Sequence, residues 1–524
     1  MQLSDEVVEE LKRVGVAVES VKALSIHGAS AERRSSIILV ITDMVRQFRF
    51  VKRGLSLLIL ADEESVSRDA SNEEFGGIIA HSFLLPYNPI INEGLLRDLE
   101  RRYKRLVIVE SLQNLILEHK LASTRLIIKP EYFLYDKLRR LTAIYPPSRR
   151  FVREMFRGSR DDVNRVLEGF LKAVKELVDQ GILEEKHGGY SPTDRFVNEV
   201  LSRKTIYDRF SDELERLLKL YLTASFSSPL NAIKSISLDL DILIPMRVPD
   251  PSKMLYMETS IGPQPLATSK GIRDFIHEAY GVRPVDVRLR KVGGVFNSTY
   301  FASFRVDGRE ERIFVKKYLN WTDFKWVAAW LWAIGVKNFS VLASSRMSNE
   351  IYFINKLSEL GFNTAEILHI NWPKKMIFQR YIDGFDGLKA LKNAGEPRIF
   401  DEISYRMGKT LAMVHEKGIC IGDCNPFTFI FVGDEAYLVD LEQCSFEGSK
   451  PWDLCELLFY TGHYLNPEEA ERFSKNVVQG YLDVGERSVV RDALDQRFMR
   501  IFVPWTPPWI QSRIRRSVRE VLES

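Results

Sequence analysis

Cysteine is scarce in this chain: four residues among 524, at Cys420, Cys424, Cys444 and Cys455. No two of them form a C-x-x-C pair and no histidine cluster accompanies them. That pattern carries no disulfide framework and no cysteine–histidine zinc motif, and favours reduced, buried thiols in a cytoplasmic protein. Charge of either sign is not in excess, with 74 basic against 71 acidic residues and a net charge of +3. No overall field then drives nucleic-acid binding, and any basic surface must be local. Long hydrophobic runs are missing as well. The longest, residues 324–336, contains Lys325 and is too short to span a bilayer. The opening Met1-Gln2-Leu3-Ser4-Asp5-Glu6 has neither a basic segment nor an apolar core, so no signal peptide is expected. Internal repeats and low-complexity tracts are absent. What is present, 45% hydrophobic and 28% charged residues, describes an ordinary globular chain long enough for about three domains.

Residues 1–130 have the pattern of an α/β domain. A helix with Val7, Val8, Leu11 and Val14 precedes two apolar strand segments, residues 36–42 and 55–60. Gly28-Ala29-Ser30 before Ser35-Ser36-Ile37-Ile38-Leu39 resembles the opening of the nucleotidyltransferase fold, in which a Gly-Ser turn precedes S-D-I-D-L. Ser36 and Ile38 stand where that family's metal-binding aspartates would be, so the resemblance implies a degenerate unit without two-metal chemistry.

Residues 131–225 read as helical and winged-helix-like. Val163, Val166, Leu167, Leu171, Val174 and Leu177 mark an amphipathic helix, Gly181 ends it, and a hairpin turns at His187-Gly188-Gly189. A further helix is expected from about Asp208 to Leu222. Basic residues interleave with aromatics between Arg101 and Arg157, including Arg101-Arg102-Tyr103-Lys104-Arg105. Such a stretch can hold an RNA backbone and stack its bases, or it can be a solvated helix face over an aromatic core. Pro245, Pro249, Pro251, Pro263 and Pro265 mark residues 226–270 as an extended linker.

The most informative stretch runs from Leu411 to Cys444. Asp423 lies in the polar loop Gly422-Asp423-Cys424-Asn425-Pro426. Asp440 follows the apolar run Ala436-Tyr437-Leu438-Val439. The apolar segment 427–432 and the turn Gly433-Asp434-Glu435 make this a hairpin with both carboxylates at one edge. Phosphoryl transfer needs such a pair, one acid to orient a hydroxyl and one to hold a metal ion against the phosphates.

Upstream, Lys291-Val292-Gly293-Gly294-Val295-Phe296-Asn297 forms a two-glycine turn between strands. Glycines there would let backbone N–H groups approach phosphate. Lys316 ends an alternating strand, with Ile313 and Val315 on one face and Phe314 and Lys316 on the other; Lys317 is the fallback lysine. Glu350, on an amphipathic helix leading to Gly361, is the acid to hold it. Between them, Trp321, Trp326, Trp330 and Trp332 suggest a packed insertion.

In this order the parts resemble the protein-kinase-like superfamily, whose pattern is H-x-D-x-x-x-x-N followed by D-F-G. The form G-D-x-x-P with Asp-Leu-Glu for D-F-G is similar to the atypical branches: RIO-type kinases, the KEOPS-complex kinase, and lipopolysaccharide or aminoglycoside kinases. The resemblance implies a two-lobed domain, with an N-lobe over 271–384 and a C-lobe over 385–524, in an α+β multidomain chain. It implies ATP and Mg²⁺ (or Mn²⁺) as cofactors. Asp423 would be the catalytic acid, with Lys316 and Glu350 as the phosphate-positioning pair. Asp440 would hold the metal, with Asn425 and Thr428 as its companions. Gly293, Gly294, Phe378, Gln379 and Tyr381 would line the nucleotide, the last three from the strand that meets adenine. Asp453 would brace the catalytic loop.

One position departs from the pattern: the family's asparagine, five residues after the catalytic aspartate, is Thr428. Only eleven residues separate Asp440 from Trp452, and no A-P-E motif follows. That is too short for a peptide platform of the regulated protein-kinase type. The expected function is transfer of the γ-phosphate to a hydroxyl of RNA, protein or a small metabolite. The alternative is a pseudokinase-like module that binds nucleotide or RNA without transfer. The basic N-terminal helices and the C-terminal tail, with Arg513, Arg515, Arg516 and Arg519, are the expected contacts to RNA or protein.

Overall fold

The computed structural model describes residues 5–28, 36–53, 56–145, 148–203, 214–215, 218–220, 248–292, 297–319 and 342–524. Contacts divide the chain into two compact units, Met1–Glu118 with Ser123–Tyr256, and His119–Ala122 with Met257–Ser524.

The first unit opens with helix α1 (Asp5–Arg13), then strands β1 (Val21–His27), β2 (Ile37–Thr42), β3 (Phe48–Arg53) and β4 (Ser56–Ala61). Helix α2 (Glu63–Asn72) and strand β5 (Tyr87–Ile91) follow. The sheet order is β3-β4-β2-β1-β5, with β2 parallel to β4 and antiparallel to β1. Ile-Ile-Leu-Val-Ile-Thr is a near-continuous apolar run because β2 is the central strand, buried over nearly all its length. Ser36 lies just before β2 with its hydroxyl 2.9 Å from that of Ser56, and Ile38 lies within the strand. The Ala29-Ser30 turn and Ser35 lie outside the described residues.

Helices α3 (Glu93–His119), α4 (Glu131–Ile144), α5 (Arg149–Arg157), α6 (Arg160–Asp179) and α7 (Asp194–Arg203) make up most of the rest. They are joined by the short strand β6 (Leu126–Ile128) and the hairpin of β7 (Leu183–Lys186) and β8 (Gly189–Pro192). Ser159 caps α6 by accepting the Asp161 N–H. Val166, Phe170, Ala173, Val174 and Leu177 form its buried stripe. Leu171, which the spacing assigned to that stripe, is exposed, and the neighbouring Phe170 takes its place. In the hairpin, Lys186 pairs with Gly189, leaving a two-residue turn. His187 and Gly188 both have positive φ, 48° and 70°, as the twist of a tight hairpin requires. His187 is thus a turn residue. The expected helix over 208–222 and most of the proposed linker fall outside the described residues.

Strand β9 (Leu255–Met257) straddles the boundary, with Leu255 and Tyr256 in the first unit and Met257 in the second; β10 (Gln264–Pro265) precedes helix α8 (Ile272–Tyr280) in the second unit. An antiparallel sheet follows, of β11 (Arg288–Lys291), β12 (Asn297–Val306), β13 (Arg309–Tyr318), β15 (Ile367–Asn371) and β16 (Met376–Arg380), in the order β11-β12-β13-β16-β15. Phe275 and Ile276 of α8 close one face of this sheet over Ala302, Phe304, Ile313, Val315, Leu368 and Phe378. Helix α9 (Ala343–Glu359) carries Glu350, whose carboxylate bonds Lys316 on the other face of β13. The alternation along β13 therefore sends Ile313 and Val315 into one core and Lys316 toward α9.

A second, four-stranded sheet has the order β14-β19-β18-β17, made of β14 (Asn363–Thr364), β17 (Phe385–Asp386), β18 (Phe429–Val432) and β19 (Glu435–Leu438). Helices α10 (Gly387–Lys392), α11 (Pro397–Glu416), α12 (Lys450–Gly462), α13 (Pro467–Leu482) and α14 (Pro508–Glu523) complete the described core of this unit. Ile510, Ile514, Val518 and Val521 are the buried stripe of α14. No described helix is long and apolar enough to cross a membrane.

Candidate functional site

The β18–β19 hairpin forms as its sequence implies, with Val432 paired to Glu435 across Gly433-Asp434. The loop before it carries Asp423 and the turn after it carries Asp440. Asp440 has φ 59° and ψ 48°, a left-handed conformation that costs an L-residue energy and persists where its surroundings impose it. Here the imposing contacts are visible. The Lys316 ammonium bonds the Asp440 carboxylate, bonds Glu350 Oε2 at 2.6 Å, and lies 3.0 Å from Glu442 Oε2.

Each partner is held in turn. Glu350 is buried; its Oε2 also accepts from the Tyr318 hydroxyl and its Oε1 lies 3.3 Å from Gln379 Nε2. Glu442 Oε1 accepts from Arg346 Nη1 at 3.0 Å, and its Oε2 from Asn297 Nδ2 at 2.9 Å. Arg346 Nη1 also donates to Asn297 Oδ1 at 2.9 Å. Burial would lower the Lys316 pKa, but Asp440, Glu350 and Glu442 raise it well above the ordinary lysine value. Burial likewise pushes Glu442 up, and Lys316 with Arg346 pulls it below the usual carboxylate range. Asp440 moves the other way, up to about 7, through lost hydration and then through the repulsion of Glu442, Glu350 and Asp423 acting against Lys316. Its side chain is nevertheless 55% exposed, so solvent screens part of that push.

The loop of Asp423 is braced from below. Asp453, fully buried on α12, accepts the backbone N–H of Ile421 at 2.6 Å and of Gly422 at 2.8 Å. It also meets His415 Nε2 at 3.1 Å, while His415 Nδ1 faces the Tyr481 hydroxyl at 2.8 Å. An ionised carboxylate only accepts, so the proton of His415 belongs on Nε2. Glu456 accepts the Cys424 N–H at 3.0 Å, and Trp452 Nε1 donates to the Gly422 carbonyl at 3.1 Å. Gly422 has φ +83°, which a side chain would disfavour, and this turn lifts the half-buried Asp423 away from the brace. The four cysteines, all in this region, are buried and none is in a disulfide.

The remaining sequence candidates divide. Asn425 Nδ2 donates to Asp423 Oδ1 at 2.9 Å, while its own Oδ1 accepts the Phe427 N–H. Thr428 is buried, and its hydroxyl donates to the Asp423 carbonyl at 2.9 Å and accepts from the Asn425 N–H. Both side chains thus shape the loop. Carboxylate oxygens of Glu350, Asp440 and Glu442 gather within 4.8 Å of one another. Hard carboxylate oxygens suit Mg²⁺ or Mn²⁺, and Asp440 is the one of the three open to solvent.

Phe378 packs inside the sheet core against Phe275 and His369, and its strand is paired on both sides by β13 and β15. Gln379 serves Glu350. Of the three residues expected to meet adenine, only Tyr381, past the strand end, stays half-buried at an edge. Gly293 and Gly294, and all four tryptophans of the insertion, lie outside the described residues.

Reading the sequence alone missed Glu442, Arg346, Asn297 and Tyr318. Two signals were there: Glu442 is the charged third residue of Asp-Leu-Glu, and Arg346 lies four residues before Glu350, on the same helix face.

Several cations of the expected basic surface in the first unit are ion-paired, Arg101 and Arg102 while still about half exposed. Arg101 pairs with Asp98 and Glu176, Arg102 with Asp98, and Lys104 with Glu100 in full burial. Arg105 donates to Gln180, and Tyr103 is buried. In the tail, Arg513 pairs with Glu471, whereas Arg516 and Arg519 are exposed.

No protein-family model matches the chain, and no curated protein sequence does. Among solved structures, an ethanolamine kinase from Plasmodium vivax is similar at 10% identity and a TM-score of 0.28, over 47% of this chain and 86% of that one. A superposition that loose decides neither fold nor function; the ion-pair geometry of the chain itself is what bears on chemistry.

Proposed function

We propose that the second unit is a phosphotransferase of the atypical kinase-like kind, using ATP with Mg²⁺ or Mn²⁺ and an acceptor hydroxyl. One observation carries this reading: a buried strand lysine, Lys316, is held by a helix glutamate, Glu350, and touches a solvent-open aspartate, Asp440. A purely structural ion pair does not need a third acid facing solvent in a left-handed backbone conformation.

Lys316 would orient the phosphates, kept rigid by Glu350, Tyr318 and Gln379. Asp440 would hold the divalent cation, which when bound neutralises charge on the transferring phosphoryl group. Asp423, oriented by Asn425 and lifted on the loop braced by Asp453, would accept the hydrogen bond of the acceptor hydroxyl and draw off its proton. The Ile382–Asp383 segment beyond β16, next to Tyr381, would meet the base edge; its Ile382 carbonyl also accepts the Gly384 N–H at 3.1 Å.

The test is transfer of labelled γ-phosphate to total RNA, protein and metabolite fractions. Asp423→Ala is expected to lower turnover by about 10²–10⁴-fold while leaving nucleotide affinity in place. Lys316→Ala is expected to cut turnover and also weaken nucleotide binding by about tenfold or more, since a charge-assisted bond is lost. Unchanged turnover in the purified Asp423 variant would remove that residue from the mechanism. A second reading, a nucleotide-binding module without transfer, is favoured by one observation, the commitment of the Thr428 hydroxyl to the loop backbone. Thr428→Asn separates the two: a large gain in phosphate transfer supports the degenerate module, and no gain in an active enzyme supports the phosphotransferase.

A further inference from the structure

The Lys316 ammonium has three N–H donors, and three carboxylates take them. They are not held alike. Glu350 is fixed through both oxygens by Lys316, Tyr318 and Gln379. Asp440 is exposed and has no second fixing partner among its described hydrogen bonds. Glu442 is buried and fixed through both oxygens by Arg346 at 3.0 Å and Asn297 at 2.9 Å, independently of Lys316. When a phosphate reaches Lys316, Asp440 can yield its place. Glu442 cannot leave, because doing so would abandon the guanidinium of the fully buried Arg346.

The charge that stays is the point. Two cations, Lys316 and Arg346, face three acids, Glu350, Glu442 and Asp440. With Asp440 ionised, the cluster is one negative charge in excess before Asp423 is counted. A glycine in the position of Glu442, as in D-F-G, would leave it balanced. A polyanionic nucleotide entering such a site meets net repulsion unless it brings positive charge with it.

We propose that Glu442, clamped by Arg346 and Asn297, makes nucleotide binding conditional on a divalent cation, so that the cleft accepts the metal–nucleotide complex and rejects the bare nucleotide. The proposal rests on the phosphotransferase reading and adds a selectivity residue to it. Glu442 acts through Lys316 and through its charge; it is a positioning residue.

The experiment is calorimetric titration of the full chain with ADP and with a non-hydrolysable ATP analogue, in Mg²⁺ and in chelator. The ratio of the two dissociation constants is the readout. In Glu442→Gln, which keeps the shape, metal-free binding tightens and the ratio falls by about tenfold or more. In Glu442→Asp, which keeps the charge, the ratio stays near that of the unsubstituted chain. Asn297→Asp adds a negative charge to the same clamp while keeping an acceptor for Arg346, and it raises the ratio. It decides the matter if Glu442→Gln does not fold. A folded Glu442→Gln with an unmoved ratio, a Glu442→Asp that behaves like Glu442→Gln, or an unmoved ratio in Asn297→Asp overturns the proposal and leaves the phosphotransferase reading standing. No nucleotide binding by the unsubstituted chain in either condition overturns both.

Discussion

Asp453→Ala is expected to lose about 3–5 kcal/mol of stability, the cost of removing one partner from a buried, charge-assisted network. The carboxylate is fully buried and serves three groups at once: the N–H of Ile421, the N–H of Gly422 and His415 Nε2. Truncation leaves two backbone donors without an acceptor in a place water does not reach, and it frees the imidazole that Tyr481 then holds alone. Asp453→Asn should cost less, since one oxygen remains to accept, but its amide N–H₂ would face a donor where the second oxygen stood. The order unsubstituted, Asn, Ala in denaturant midpoints checks this. A midpoint for the Ala variant within experimental error of the unsubstituted chain would mean that the loop is held by other contacts. Phosphate transfer, if Asp423 performs it, should fall with the same order, because the two bonded amides are what place Asp423.

The same residues show how much could be read without coordinates. Asp453 was legible through the resemblance of its segment, Trp452-Asp453-Leu454-Cys455-Glu456, to kinase-like chains, which implied a brace for the loop of Asp423. The strand–turn–strand of 429–438 and the alternation along β13 were legible from periodicity, because a half-buried strand has little freedom in which residues it turns inward. Glu442 was hidden for the opposite reason. Its partners, Arg346 and Asn297, stand 96 and 145 positions away in the chain, and no local pattern announces a bond of that span. For Thr428 and Asn425 the loop register was legible, but not that their side chains also bond the loop backbone, the Thr428 hydroxyl to the Asp423 carbonyl and the Phe427 N–H to Asn425 Oδ1. The pairing of the arginine-rich helix α3 was not legible either. A run of cations does not by itself announce the acids that meet it, Asp98 one turn back and Glu176 on α6, which lie within 3.0 Å or closer of Arg101. Phe378 was read as a lining residue and is core, since a strand with neighbours on both sides has no free edge to offer.

The other large effect lies behind the loop, where α11 crosses α13. A Cβ placed on Gly408 would stand 1.9 Å from the carbonyl oxygen of Val477, and one on Gly480 would stand 2.0 Å from that of Tyr405. The obstacle in each case is backbone, which cannot rotate aside. Alanine in a helix is ordinarily favoured over glycine by about 0.8–1.0 kcal/mol. If the two helices were not in contact, Gly408→Ala and Gly480→Ala would therefore stabilise the protein. With the contact, overpacking costs of about 1–3 kcal/mol or more oppose that gain, and both variants should melt lower than the unsubstituted chain. The sign alone decides. The pair should also be less than additive, since either methyl group already forces the helices apart. Helix α11 ends at His415 and Glu416, immediately before the braced loop. Its displacement should draw His415 away from Asp453 and, if the chain is the phosphotransferase proposed, lower phosphate transfer by the still-folded fraction, whereas an alanine at an exposed glycine such as Gly395, with no atom closer than 4.0 Å, would leave the helix crossing untouched. A rise in melting temperature for Gly408→Ala would show that the helices separate freely at this crossing, and that the loop carrying Asp423 is not held from behind.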